Sequence, residues 1–138
     1  MPRDLLDILA DCSDWVAVMK PAGLATIPGR GEDDSVLERL TQTADSPAVR
    51  RRYGDALASA GREADALQQY RQALKLDPRH YPAMNSMASL LITQYRTGLL
   101  LDDRKRDEAL AMWKQSLQLN PDQPKVEAQI KQWQPKAG

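Results

Sequence analysis

The stretch from Pro47 to Pro78 constrains more than any other what this 138-residue chain can fold into. Apolar or small residues recur at Val49, Tyr53, Leu57 and Ala60, then at Ala66, Leu67, Tyr70, Ala73 and Leu74, and the helical spacing breaks only at Gly61. Two amphipathic helices and a tight turn satisfy that pattern. Gly54 and Ala66 are small where two antiparallel helices must come close. Gly61 can take the left-handed conformation that ends the first helix, and Asp77-Pro78 stops the second.

Tyr53-Gly54, Leu57, Gly61, Ala66, Tyr70, Ala73 and Pro78 stand where a 34-residue pattern of large, small and helix-ending residues expects them. The stretch resembles a tetratricopeptide repeat. A weaker copy follows from Tyr81, with Met84, Met87-Ala88 and Leu91 matching the first helix. Glu108-Ala109-Leu110, Trp113, Ser116-Leu117 and Asn120-Pro121 match the second. The two proline endings, Pro78 and Pro121, are 43 residues apart, so this copy carries about nine residues more than the family period. The surplus is expected between Tyr95 and Lys105. Either the first helix continues beyond Tyr95 and bends near Gly98, or Leu99 to Leu101 fold back over the groove; the first is preferred. Arg106 to Gln118 then resumes the helix with Ala109, Leu110, Trp113 and Leu117 inward. A last helix starts near Pro124 with Val126, Ile130 and Trp133 on one face and Glu127, Gln129, Lys131 and Gln132 on the other, which would close the array against water.

The opening segment has a different character. Met1 to Asp14 fits a short helical turn or an extended entry equally well. Trp15 to Met19 reads as a buried strand, Pro21-Ala22-Gly23 turns the chain, Leu24 to Ile27 extends again into a small hairpin, and Pro28 to Gly31 is a loop. Asp33 or Asp34 can cap a helix in which Val36, Leu37 and Leu40 share a face. Ile8-Leu9, the run Asp14 to Leu24 with its Lys20-Pro21-Ala22-Gly23-Leu24 turn, and Ser35 to Leu40 resemble the start of an RluA-like pseudouridine synthase domain. That family's catalytic aspartate lies in a His-Arg-Leu-Asp motif that this sequence lacks; its single histidine, His80, precedes Tyr81-Pro82-Ala83. Residues 1–45 therefore read as truncated before any chemistry. A packing role remains: Trp15, Val16, Val18, Leu37 and Leu40 are expected to cover the front face of the first repeat.

The expected fold is mainly α: a tetratricopeptide-like α-α superhelix of two repeats and a capping helix over 46–138, with a small β-containing segment over 1–45. The resemblance implies a peptide-binding groove lined by the first helix of each repeat. Carried over position by position, it gives Arg51, Asp55, Ala58 and Ser59, then Asn85, Ser89, Ile92 and Thr93. A carboxylate clamp of the family's kind is not expected, because Asp55 and Ser86 replace amides and Gln123 and Glu127 stand where basic residues are needed.

Composition narrows the other classes. Residues 1–45 hold four Lys/Arg and nine Asp/Glu, and residues 46–138 hold fifteen and ten, so neither part is basic enough to point to nucleic acid. Arg50-Arg51-Arg52, with Lys20 and Arg30, could touch phosphates, but successive residues spread around a helix and solvation is favoured. One cysteine, Cys12, and one histidine cannot assemble a His/Cys metal site or an internal disulfide. Glu32-Asp33-Asp34 reads as helix-start chemistry, Gly29-Arg30-Gly31 is too short for a phosphate loop, and His80 reads as an exposed loop histidine. Tyr53, Tyr70, Trp113 and Trp133 are assigned to packing. No apolar run approaches a membrane span, and Asp4, Asp7 and Asp11 interrupt the apolar residues of the N-terminus where a signal peptide needs an unbroken core, so a cytoplasmic protein is expected, and the missing aspartate motif makes it a non-enzymatic one. It needs no cofactor, its partner is a protein or peptide, self-association is a second route, and RNA is disfavoured.

Overall fold

The computed structural model describes residues 8–11, 16–18, 27, 35–43, 45–99 and 101–136. The chain is mainly helical over these residues, with six helices: α1 (Val36–Thr43), α2 (Pro47–Ser59), α3 (Glu63–Leu76), α4 (Tyr81–Thr97), α5 (Asp103–Leu119) and α6 (Pro124–Trp133). Ahead of them, β1 (Ile8–Asp11) pairs antiparallel with β2 (Val16–Val18) around an irregularity between Ile8 and Ala10. The strand expected over Trp15 to Met19 is present as β2, with the segment before it as its partner; Ile27 is a bend, and residues 19–26, which hold the turn and most of the second arm of the expected hairpin, lie outside the described set. Trp15 and the side chains of Val16 and Val18 also lie outside it, as do Cys12, Lys20, Arg30 and the Glu32 to Asp34 run. The residues group into two compact units, one ending at Asp77 and the other starting at Pro78.

In the first unit, α2 starts where Ser46 caps it: the Ser46 Oγ accepts from the Val49 N–H at 3.2 Å, and Pro47 occupies a first-turn position where its missing N–H costs nothing. The helix ends at Gly61, whose φ of 77° lets the Arg62 N–H reach the Leu57 carbonyl at 2.9 Å and the Gly61 N–H reach that of Ala58 at 3.0 Å. Those two bonds make a Schellman stop and turn the chain into α3. Val49, Tyr53 and Leu57 of α2 are buried with Ala66, Leu67, Tyr70 and Ala73 of α3, as the spacing requires, whereas Ala60 is exposed at the cap. Gly54 has no substitute at this contact. A Cβ built there would stand 2.5 Å from Cε1 of the Tyr70 ring and 2.7 Å from Cδ1.

The helix α1 packs against α2, with Val36 and Leu40 buried and Leu37 half-buried. Its cap is Ser35, not Asp33 or Asp34: the Ser35 Oγ accepts from the Glu38 N–H at 3.1 Å, and Ser35 is itself wholly buried. Serine at the cap with glutamate three residues on is a capping-box pattern. Here the glutamate serves the neighbouring helix instead, because the Tyr53 hydroxyl donates to Glu38 Oε2 at 3.2 Å. Burial, together with the Glu38 charge, raises the Tyr53 pKa from 10.0 to about 12.

In the second unit α4 and α5 form a longer helical hairpin, onto which α6 packs through α5. Relative to α2 and α3, the nine surplus residues divide between both helices and the turn. The first helix gains four, the turn two and the second helix three. The expected bend is thus a plain end: α4 stops at Thr97, Gly98 is extended, and Asp102 Oδ1 caps α5 by accepting from the Arg104 N–H at 3.1 Å. Leu99 and Leu101 are exposed, so they do not fold back over a groove. Ala109, Leu110 and Trp113 face inward, but the next buried position is Ser116 rather than Leu117, which is half-buried.

Two outcomes test this packing. Gly54→Ala gains about 1 kcal/mol of helix propensity but must push the Tyr70 ring aside at about 1–3 kcal/mol; net destabilisation is expected in urea unfolding. Tyr53 contributes a pH term of fixed sign. The folded state holds its phenol proton to higher pH than the unfolded chain does, so stability is unaffected below pH 10 and falls as pH rises from 10 toward 12. The difference between wild type and Tyr53→Phe, followed by urea unfolding across that range, should shrink accordingly.

Candidate functional site

The groove positions fall in the two units, and the units treat them differently. On α2, Asp55 is fully engaged: its Oδ2 accepts from Arg51 Nη1 at 2.8 Å and its Oδ1 from the Tyr70 hydroxyl at 2.7 Å. Ser59 Oγ donates to the Asp55 carbonyl at 2.9 Å, and Ala58 is half-buried beside it. Arg51 keeps its Nε buried without a hydrogen-bond partner. The arginine run is likewise divided. Arg50 donates from Nε to Asp45 Oδ1 at 2.7 Å and from Nη1 to Gln69 Oε1 at 3.0 Å, Arg51 faces Asp55, and Arg52 is exposed. The Arg50 and Arg51 guanidiniums therefore meet carboxylates of their own chain, which weakens any field they would project toward phosphate.

On α4 the same positions open onto space. Ser89, Ile92, Thr93 and Arg96 recur at i, i+3, i+4 and i+7, one stripe of the helix. Gln129, Gln132 and Trp133 form the facing stripe on α6, and Trp113 of α5 lies between. Together they line an open cavity of about 340 Å³. Trp113 and Ile92 are buried and make its floor, while Ser89, Thr93, Arg96 and Gln132 are exposed at its walls. The Trp133 Nε1–H donates to Gln129 Oε1 at 3.2 Å, which fixes both side chains and leaves the Gln129 amide NH₂ as a donor. Thr93 Oγ1 donates back to the Ser89 carbonyl at 3.0 Å.

Asn85 stands apart from the cavity. Its Nδ2 donates to Gln123 Oε1 at 2.7 Å, and its Oδ1 is buried without a partner. Gln123, at the cap position of α6, is committed to structure: its Nε2 donates to the carbonyls of Asn120 at 2.7 Å and Ser116 at 3.1 Å and to Ser116 Oγ at 3.0 Å. That knot ties the end of α5 to the start of α6 and explains why a serine is buried at position 116.

Of the expected groove residues, the cavity thus gathers Ser89, Ile92 and Thr93, with Ile92 as floor rather than wall. Arg51, Asp55 and Ser59 satisfy one another and Tyr70. Sequence reasoning missed Arg96 and treated Gln129 and Gln132 as solvated. The signal available was the recurrence of 129, 132 and 133 on the last helix, which can face the stripe 89, 92, 93 and 96. His80 is half-buried at the start of α4 rather than exposed. Among the described residues no three His, Cys, Asp or Glu side chains gather where they could hold a metal ion, and no helix is long and apolar enough to cross a membrane.

Residues 47–80 match the family model of the tetratricopeptide repeat. The match covers α2, Gly61, α3 and the Pro78 stop, the helical hairpin that bears Gly54 and Tyr70. Such a repeat suggests a protein-interaction or assembly module. No curated protein matches the chain.

The Asp55 network carries a stability cost if broken. Asp55→Ala leaves the buried Tyr70 hydroxyl without its acceptor, and a loss of about 1–3 kcal/mol is expected in urea unfolding. Arg51→Ala removes only the half-exposed ion pair and should cost no more than about 1 kcal/mol.

Proposed function

We propose that this chain is a non-catalytic protein- or peptide-binding module of the tetratricopeptide kind, with its contact surface on α4 and α6. The open cavity between the Ser89, Ile92, Thr93, Arg96 stripe and the Gln129, Gln132, Trp133 stripe carries the reading. Its floor is apolar and its walls offer hydroxyls, carboxamides and a guanidinium, the mixture by which side-chain pockets take an extended peptide. Arg51, Asp55, Ser59 and Asn85 contribute stability to their own units, since each already has an internal partner. In this proposal residues 46–138 are the repeat domain, in a cytoplasmic setting, and residues 1–45 are an attached β-containing segment whose α1 covers α2. Homo-oligomerisation through an uncovered end is a further route to assembly.

The resemblance of residues 8–40 to the start of an RluA-like pseudouridine synthase domain gives a second proposal, a fragment keeping some RNA or partner contact. It rests on the Lys20 to Leu24 turn, which lies outside the described residues, and the tetratricopeptide match does not extend to it. The internal pairing of Arg50 and Arg51 favours the peptide reading over the RNA one.

A peptide-array selection with the full chain tests the favoured reading. The double variant Ser89→Tyr, Thr93→Tyr fills the cavity from its exposed wall without touching the core. Selected peptides should bind it at least about tenfold more weakly than wild type, with an unchanged melting temperature. Equal binding by both proteins, or no selected peptide at all, would overturn the proposal.

A further inference from the structure

The turn that joins α4 to α5 uses residues that connections in water seldom use. Turns favour Gly, Pro, Asn, Asp and Ser, yet Leu99 is fully exposed and Leu101 is 67% exposed, whereas Leu57, Leu91 and Leu110 are buried in the helix pairs. The platform beneath them is braced. Arg106 lies over the Tyr95 ring at 5.7 Å, and that ring meets Trp133 edge-on, with centroids 6.1 Å apart and planes at 88°. The end of α4, the start of α5 and the end of α6 therefore hold one another. The Gly98 N–H donates to the Gln94 carbonyl at 2.9 Å, and Asp102 caps α5. Two leucines are thus held out at the apex of a fixed hairpin.

The charges beside them are one-sided once internal pairing is counted. From the last turn of α4 through the first turn of α5, residues 94–106, the chain has four Lys/Arg and two Asp. Asp102 Oδ1 accepts from the Arg104 N–H, and Asp103 pairs with Arg106 at 2.9 Å. Asp107, in the next turn, brings a second carboxylate to Arg106 at 3.0 Å. Arg96, Arg104 and Lys105 make no ion pair among the described residues. Glu108 lies in the second turn of α5, farther from the apex, and α4 carries no acid. The leucines lead, and the three cations follow within one helical turn, roughly 5 Å. That order matches a bilayer surface, in which anionic headgroups overlie an apolar layer. We infer that the α4–α5 turn is a peripheral membrane contact: Leu99 and Leu101 enter the interfacial layer of an anionic bilayer, and Arg96, Arg104 and Lys105 pair with its headgroups. A second copy of the chain fits less well, because pairing apex to apex sets the three cations of one against those of the other. A protein partner would need a cleft to enclose a convex apex, whereas a bilayer needs only negative charge. The contact stands whether or not the cavity takes a peptide, and it gives a surface attachment to a chain in which no described helix can cross a membrane.

Co-sedimentation of the full chain with vesicles tests this contact. The vesicles are phosphatidylcholine alone or phosphatidylcholine with about 30% phosphatidylserine, which supplies the negative surface potential. Partitioning onto the anionic vesicles should exceed that onto the neutral ones by about tenfold or more and should weaken as salt rises. The double variant Leu99→Ser, Leu101→Ser should lower partitioning onto the anionic vesicles by at least about fivefold. The triple variant Arg96→Gln, Arg104→Gln, Lys105→Gln should lower it by about tenfold or more. Both variants should keep the helical circular dichroism and the melting temperature of the wild type. Absence of binding to anionic vesicles, equal binding to the two lipids, or binding untouched by either variant would overturn the inference. A rise in mass with protein concentration in lipid-free light scattering, abolished by Leu99→Ser, Leu101→Ser, would also overturn it, since the apex then pairs with a second copy.

Discussion

The contact between Gly54 and the Tyr70 ring is the constraint on which the first unit depends. The ring occupies the space a Cβ would need, so α2 and α3 approach at a distance that no other residue at position 54 permits without moving it. The hydroxyl of the same ring is held by Asp55, the residue after the glycine. Ring and hydroxyl thus fix the helix pair in both separation and register: sliding α3 along α2 would lose the hydrogen bond, and separating them would open a void beside a residue that is 2% exposed. Gly61 completes the arrangement by reversing the chain within three residues, which brings Tyr70 back to the level of Gly54.

That geometry also decides what α2 can offer to anything outside. One side carries Val49, Tyr53 and Leu57 inward, and Tyr53 reaches Glu38 of α1. The residues left at the edge, Arg51 and Asp55, are bound to each other. For Asp55 to serve a ligand, Tyr70 would have to lose its acceptor, and for Arg51 to do so an ion pair must break. Both oxygens of Asp55 and one nitrogen of Arg51 are therefore occupied by the fold.

How legible this was follows from which interactions are local in sequence. The helix pair 47–76 could be read because its signals are strong and close together: apolar residues at helical spacing, Gly54 opposite a large ring, Gly61 and Pro78 as stops. The cap of α1 was misread because residues able to cap adjoin one another in sequence, and only the hydrogen bond from the Glu38 N–H to Ser35 Oγ picks out the serine. Ser116 was misread for a different reason. Its burial depends on Gln123, seven residues away across a turn, and a polar residue at an inward position carries no signal until its partner is placed. The surplus in the second hairpin was read as one inserted stretch because its period reveals an excess length but not where helices stop. Gln94 to Thr97 simply continue α4, and Asp102 then supplies the next cap.

The distribution of that surplus is what makes the two hairpins unequal in more than length. An insertion confined to a loop would have left α4 ending near the level at which α2 ends, with Tyr95 and Arg96 in the connection. Because the added residues extend both helices, Tyr95 and Arg106 are carried on rigid backbone to the side of Trp133, and Arg96 is carried with them. The charge chemistry of the two units then diverges on local grounds. On α2, Arg51 has a carboxylate four residues later, at Asp55. On α4, which ends one residue after Arg96, the positions three and four residues before it are Thr93 and Ile92. Arg51 thus has a counter-charge one turn away on its own helix, whereas α4 carries no Asp or Glu to serve Arg96 in that way. This difference in neighbours separates the polar chemistry of the two hairpins, which their similar helix-turn-helix form does not.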